Sequence, residues 1–388
     1  MFKYKDKITF SKAIYYNFKP IPLPRKFEDA TGGFGNYAPT QGWVQVFDTE
    51  GFYGETFCSK GMVKNVLPLI LTGETKTLNE WYQYIYWKFR NFGFQSGEIT
   101  DLGQLELIML EILAKRVNQS LHRFLGAEKD WARAYKGGGS LTLDDNELIE
   151  DMLRYVEEGY TTIKFKVGSN WGKDTERDVR RMELIRKAVG DSINIAVDGN
   201  QVYNEDTALE FANMIKSYNP AWFEEPVHSH DMNAIKSLKD KNINLKLGYG
   251  ESMRNYFSFE TYIEKGVDIL MPLIGRMSSI SDLFKINDLA KKKNKEFFSG
   301  GNTYINALFG SIYEENEMIE FHEPIIYTIG EYLEVKPEER NGCFYLQDII
   351  GSSIRINLNK LEYDKLLESK QYFYSEHINL KFAVRAAY

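Results

Sequence analysis

The chain has little cysteine, little histidine and no excess of positive charge. Two cysteines in 388 residues, Cys58 and Cys343, cannot build a disulfide framework, so a reducing compartment is expected. A net charge of −7 leaves no basic field to hold nucleic acid or an anionic membrane surface. Apolar stretches such as Val66 to Leu71 fall far short of the ~20 residues that a membrane span needs. The opening segment, Met1 to Tyr16, alternates lysine with aromatics and lacks the apolar centre of a secretion signal. No Gly-x-Gly-x-x-Gly opens a helix after a strand, which argues against a dinucleotide site. These absences point to a cytoplasmic, acidic, globular enzyme with no nucleic-acid or membrane partner. A hydrophobic share of 43% is enough for a sizeable core, and the length suggests two domains. The 25 tyrosines and 25 phenylalanines either fill that core or line a pocket.

Residues 1–130 read as strands followed by helices, the order of an α+β unit. Trp43 to Gly51 is a strand entering a turn, and Tyr53 to Phe57 is its return. Leu105, Ile108, Leu110 and Leu113 recur at helical spacing. Pro20, Pro22 and Pro24 with Gly32, Gly33 and Gly35 predict a breaker-rich loop over 18–37, a candidate lid.

From residue 131 the texture changes to alternating strands and helices. Trp131 to Tyr135, stopped by Gly137, Gly138 and Gly139, supplies a first strand, and a helix follows from Asp144 to Gly159. Further strands are expected at Thr161–Val167, Ile193–Asp198 and Ala221–Glu224. Others fall near Leu245–Gly250, Val267–Met271, Glu296–Ser299 and Met318–Glu320. Helices fit most of the gaps, which implies a parallel sheet with helical crossovers. The strand ends recur at close to the ~30 residues per unit of a (β/α)₈ barrel, so a closed barrel is favoured over an open sheet.

Catalytic residues of such barrels sit at the carboxyl ends of strands. The second strand ends in Lys164 and Lys166, two apart and therefore on one face. The third ends Asp198-Gly-Asn200, the fourth Glu224-Glu225-Pro226 and the fifth Gly250-Glu251. Three successive strands thus each bring a carboxylate to the mouth. Without a cation these groups would repel one another, whereas Mg²⁺ takes oxygen ligands and leaves positions open for substrate.

In these motifs the sequence resembles the enolase superfamily, in its branch around mandelate racemase and muconate lactonising enzyme. Lys164-Phe-Lys166, Val197-Asp-Gly-Asn200, Trp222-Phe-Glu-Glu-Pro226 and Gly250-Glu251 carry the likeness, and Trp43 to Phe57 is similar to the family's cap hairpin. The resemblance implies a (β/α)₇β barrel over 131–325, with an α+β cap built from 1–130 and from 326–388 returning to it. It also implies Mg²⁺ on Asp198, Glu224 and Glu251, Lys166 as base, and Lys164 holding the substrate carboxylate. Glu320 matches a glutamate that hydrogen-bonds that carboxylate in mandelate racemase. For Lys166 to act as base its pKa must fall toward neutrality, a shift expected from Lys164 and the metal.

The pattern breaks at the later strands. Leu273 stands where mandelate racemase-like enzymes carry an aspartate, and Gly301 or Asn302 where they carry a histidine base. Racemisation by the usual pair of bases is therefore not expected, while one base suffices for β-elimination. Tyr249, Tyr304 and the 18–37 loop are the candidate proton donors. Asn200, Asn302, Tyr304 and His322 are candidate substrate contacts, and Arg276 is a candidate for a second acidic group of the substrate. The expectation is a Mg²⁺-dependent dehydratase of a sugar acid, assembled as a homo-oligomer. A racemase, epimerase or cycloisomerase is the alternative within the superfamily, and a carboxylate-binding protein without turnover is the alternative outside it.

Overall fold

The computed structural model describes residues 4–39 and 42–376, so 377–388 of the expected C-terminal segment lie outside it. The first strand, β1 (Lys7–Phe18), is central to an antiparallel sheet. The stretch expected as a loop over 18–37 is instead largely a hairpin, β2 (Ile21–Phe27) paired with β3 (Gly35–Ala38). Prolines fit there because a two-stranded ribbon leaves many N–H positions outside the ladder. Phe27 is buried at its foot, and Arg25 pairs with Asp151 on the flanking helix.

The second hairpin forms where the sequence places it, β4 (Gly42–Asp48) with β5 (Tyr53–Cys58), Trp43 lying opposite Phe57. Asp48 Oδ1 closes the turn by accepting from the Glu50 and Phe52 N–H groups. A short β6 (Thr75–Thr77) pairs with the start of β1, and the strand Leu367–Tyr374 pairs with the rest of β1 on the edge opposite β4. Both ends of the described chain therefore meet in one sheet. The helix Thr100–Arg116 packs on β5, its long buried face carrying the leucine and isoleucine pattern seen in the sequence.

Eight parallel strands follow and close into a barrel. They are β7 (Trp131–Gly138), β8 (Thr162–Lys166), β9 (Asn194–Asp198), β10 (Phe223–Glu224), β11 (Leu247–Tyr249), β12 (Ile269–Leu270), β13 (Glu296–Ser299) and β14 (Met318–His322). Each pairs with the next, and β14 returns to β7. Helices occupy all seven gaps, which gives the (β/α)₇β order. The glycines after Tyr135 do not stop β7, which continues through Gly138 because each glycine keeps its place in the ladder with β8 or β14. Asp144 caps the helix Asp145–Glu157 through a reciprocal pair of bonds with Glu147.

Tyr135, Ala196, Trp222, Ile269, Met271 and Phe298 pack together inside the barrel as a largely aromatic floor. Part of the tyrosine and phenylalanine surplus is accounted for here. One carboxylate ties cap to barrel: buried Glu106, on the helix Thr100–Arg116, accepts from Ile280 N at 2.7 Å, Ser279 Oγ at 2.9 Å and Ser281 Oγ at 2.6 Å. Those donors form the start of the helix Ile280–Lys292, where orphan N–H groups favour an anion. Among the described residues no helix is long and apolar enough to cross a membrane.

Candidate active site

A charged layer lies directly above the aromatic floor. Ladder register places Lys166 beside Asp198, Asp198 beside Glu224 and Glu224 beside Gly248. Strands in register present equivalent residues on one face, so Lys166, Asp198 and Glu224 all point into the barrel. Lys166 Nζ is 2.6 Å from Asp198 Oδ2. Lys164 Nζ is 2.8 Å from Glu224 Oε2, 2.8 Å from Glu320 Oε1 and 3.3 Å from Asp198 Oδ2. Trp222 in the floor donates its indole N–H to Glu224 Oε2 at 3.3 Å. Glu251 reaches the rim one residue past the sharp bend at Gly250, whose φ is +149°. A Cβ there would stand 2.7 Å from the Met271 carbonyl group, so only glycine fits.

Burial and ion pairing pull these groups in opposite directions. Burial alone would raise Asp198, but Lys166 and Lys164 outweigh it and bring the carboxyl down to about 2. Glu224 goes the other way, to about 8, because burial acts first and Asp198 and Glu320 add repulsion against the pull of Lys164. For Lys166, burial disfavours the ammonium, yet Asp198 more than compensates and the net shift is upward. The cause is the 2.6 Å ion pair, which sequence spacing alone does not reveal.

Among the described residues, no three acidic, histidine or cysteine side chains are gathered as a ready-made metal cage. The Lys164 and Lys166 ammonium groups stand between the carboxylates instead. The donor set nonetheless fits a hard divalent cation. Asp198, Glu224 and Glu251 come from consecutive strands, and Glu225 Oε1 and Asn200 Oδ1 are buried without a hydrogen-bond partner among the described residues. Burial, then repulsion from Glu251, Asp198 and Glu224, holds Glu225 well above the usual carboxylate range. Buried oxygens left uncompensated in this way are the chemistry that Mg²⁺ accepts. Glu225 was visible in the sequence as half of a Glu-Glu doublet. Its backbone takes a positive φ of 40° at the strand end, and its Oε2 accepts from Gln201 Nε2 at 2.7 Å.

The layer opens into a cavity of about 1050 Å³ between barrel and cap. Lys164, Lys166, Asn200, Glu251, Glu320 and His322 line it from the barrel, together with Arg276 and Asn302. Asn302 is half engaged already, capping the helix Thr303–Gly310 through Ile305 N. Asp198 and Glu224 lie just beneath, buried under the lysines.

Two tyrosines expected at the site are not there. The Tyr249 hydroxyl bonds the backbone of Val227 outside the barrel interior, and Tyr304 packs against Phe344 and Gly330 on the outer face. Tyr249 is the next residue along β11 from Gly248, so pleating sends it to the opposite face. Tyr304 belongs to a helix that covers the outside of the barrel. His228 and His230 are exposed in the loop after β10.

Arg254 joins the wall beside Arg276, a residue the strand-end rule passes over because it lies five positions beyond β11. It has no carboxylate partner among the described ion pairs. Among the described residues its Nη1 makes long contacts of 3.4 and 3.3 Å to the Glu251 and Met253 carbonyls, and its Nε is buried without a partner. Lys60 and Lys64 of the cap line the same cavity. Where mandelate racemase-like enzymes would carry their aspartate and histidine, Leu273 and Ile274 pack on Gly300 and Gly301 as an apolar wall.

Barrel, cap and strand-end carboxylates together define a class. The chain belongs to the enolase C-terminal domain-like family, whose model matches residues 147–360, in the mandelate racemase/muconate lactonising enzyme branch of the enolase superfamily. It is 26% identical over 294 residues to arabinonate dehydratase of Saccharolobus solfataricus, spanning 72% of this chain and 78% of that one. It is 24% identical over 290 residues to L-talarate/galactarate dehydratase of Salmonella typhimurium, spanning 74% and 71%. The structure of the latter enzyme with Mg and L-lyxarohydroxamate superimposes with a TM-score of 0.81 at 20% identity, covering 95% of each chain. A racemase from Streptomyces coelicolor with bound magnesium shares the fold, with a TM-score of 0.79 at 19% identity over 92% of this chain and 99% of that one.

Proposed function

We propose that the protein is a Mg²⁺-dependent hydro-lyase that dehydrates a sugar acid, starting by removal of the proton alpha to its carboxylate. The observation that carries this reading is the buried row Lys166, Asp198 and Glu224, with Lys164 and Glu320 beneath the cavity and Glu251 at its rim. Asp198, Glu224 and Glu251 would hold the metal, which when bound supplies positive charge against the negative charge that builds on the substrate carboxylate.

The chain's own residues do the rest. Lys166 is the only lysine besides Lys164 among the barrel residues lining the cavity, and it takes the α-proton. Once Asp198 is engaged as a ligand, burial and the charge of Lys164 favour the neutral amine that a base requires. Lys164, anchored by Glu320, places its ammonium toward the substrate carboxylate and stabilises the enediolate in a dry site. The aromatic floor excludes water from below, and the hairpin β2–β3 covers the mouth from the cap side. The apolar wall of Leu273 and Ile274 supports elimination over two-base racemisation. The relationship to arabinonate and L-talarate/galactarate dehydratases supports the substrate class.

The test is incubation of the full chain with Mg²⁺ in D₂O with arabinonate, galactarate, gluconate and xylonate. The expected result is α-deuterium uptake in recovered substrate with formation of a 2-keto-3-deoxy acid, deuterated at C3, from at least one of them. Both should stop in Lys166→Ala. Turnover that survives Lys166→Ala sinks the mechanism, and inversion without water loss moves the protein to the racemase reading.

A further inference from the structure

Elimination needs a proton for the departing hydroxyl, and neither Tyr249 nor Tyr304 faces the cavity. The ladder shows what does. His322 at the end of β14 lies opposite Gly137 of β7, and Gly137 lies opposite Lys164 of β8. Lys166 is two residues further along β8 on the same face, at the level of the mouth. The strand between β14 and β8 carries only hydrogen at Gly137 and Gly138, so no side chain there stands between the imidazole and the lysines.

Both His322 ring nitrogens are buried and have no hydrogen-bond partner among the described residues. Leaving buried donors and acceptors unpaired is costly, so such groups normally have a partner, here one that the described residues do not supply. The imidazole lines the same cavity as Lys166, Asn200 and Glu320. Phe27 of the β2–β3 hairpin meets it edge to face at 4.7 Å, and Phe34 lies at 6.1 Å, which keeps it dry on the cap side. Burial first, and then the charge of Lys166, lowers its pKa to about 4; Lys164 acts with Lys166, and Glu320 and Asp198 act against them. Lys166 is thus the strongest charged influence on His322.

We propose that His322 is the proton donor to the leaving hydroxyl, taking over one strand away the work for which Gly301 and Asn302 are unfit. This rests on the reading of Lys166 as the base of a dehydration. Lys166 takes the α-proton, and the C–H electron pair passes into the enediolate. Lys166 passes that proton through solvent to the His322 imidazole, which is neutral at rest. The pair then forms the Cα–Cβ double bond while the Cβ–O bond breaks, and the hydroxyl leaves as water with the proton the imidazole has received. The resulting enol moves its hydroxyl proton, net, to the β-carbon and becomes the 2-keto-3-deoxy acid. With the α-proton delivered to the leaving hydroxyl, Lys166 and His322 are both back in their neutral starting forms.

Two measurements on the full chain test this. The first uses the four acids above with Mg²⁺ in D₂O and compares the unaltered protein with His322→Asn. Loss of dehydration by about 100-fold or more, with α-deuterium exchange retained, supports the proposal and shows that the variant is folded. Equal dehydration by both proteins overturns it, as does α-carbon inversion that depends on His322. The second needs no turnover: the His322 imidazole is titrated by NMR in the unaltered protein and in Lys166→Met. A rise of about one pH unit or more in the variant supports the pairing, and an unchanged midpoint overturns it. If no acid exchanges even with the unaltered protein, the dehydratase reading fails on that count while the titration still decides the placement of His322.

Discussion

The Lys164 ammonium sits 2.8 Å from Glu320 across a strand that has no side chain at the crossing point. That point is Gly137. A Cβ added there would lie 3.0 Å from Glu320 Oε1 and 3.7 Å from Lys164 Cε. Gly137→Ala should therefore push the pair apart while leaving the barrel closed. The expected outcome is a fall in kcat of about tenfold or more on any acid the protein dehydrates, with a stability loss of about 1–3 kcal/mol. Steady-state kinetics alongside urea denaturation checks both, and unchanged kinetics would mean that the pair does not position Lys164.

Glu251 is the carboxylate of the three at the cavity rim, and Arg276 is its ion-pair partner at 3.4 Å. Adding Mg²⁺ at a hundredfold excess over its Kd should stabilise the protein by about 2.7 kcal/mol, visible as a higher Tm. Glu251→Gln should shrink that rise severalfold, and chelation should abolish turnover until Mg²⁺ is restored. A thermal shift that is the same in Glu251→Gln and the unaltered protein would remove Glu251 from the ligand set.

The wall formed by Arg254 and Arg276 predicts a preference for acids with a second negative group at the far end. Burial, then the neighbouring Arg276 charge, lowers Arg254 to about 10, still cationic at neutral pH. Arg254→Met should weaken galactarate binding about tenfold and leave galactonate binding within about twofold, since these acids differ only in whether the terminal carbon is a carboxylate or a hydroxymethyl group. Calorimetry in the Lys166→Ala background separates binding from turnover. Equal losses for both acids would show that Arg254 serves the fold rather than the distal group.

His322 also makes stability depend on pH. Its folded-state pKa is about 4, below the ~6.5 of an unfolded histidine. Between those values the unfolded chain binds more protons, so stability is full above about pH 6.5 and falls as pH drops toward 4. The contribution lost is about 3 kcal/mol at most, from the size of the shift. Denaturation midpoints at pH 4.5 and 7 should lie closer together in His322→Asn than in the unaltered protein. Equal differences would place the acid sensitivity elsewhere.

Much of the site was legible because its information is local. Lys164 and Lys166 share a face by the two-residue period of one strand, and Asp198, Glu224 and Glu251 fall at or just past strand ends that the alternating pattern locates. The 18–37 segment was misread because prolines and glycines mark a turn without showing that a ribbon flanks it. The tyrosines were misplaced because nearness to a strand end does not say which face a side chain takes.

The sequence by itself determined the barrel, the lysine pair and the three carboxylates, since periodicity and strand-end position are properties of short stretches of chain. Only the tertiary structure decided who neighbours whom. Closure of β14 onto β7 brings His322 to the row of Lys164 across a bare glycine strand, and the fold of the mouth sets Arg254 beside Arg276. It also set Lys166 2.6 Å from Asp198, a contact whose pull on the ammonium outweighs the burial that would otherwise lower its pKa. Contacts between residues far apart in sequence depend on register and on distances of a few ångströms, and no local pattern encodes them.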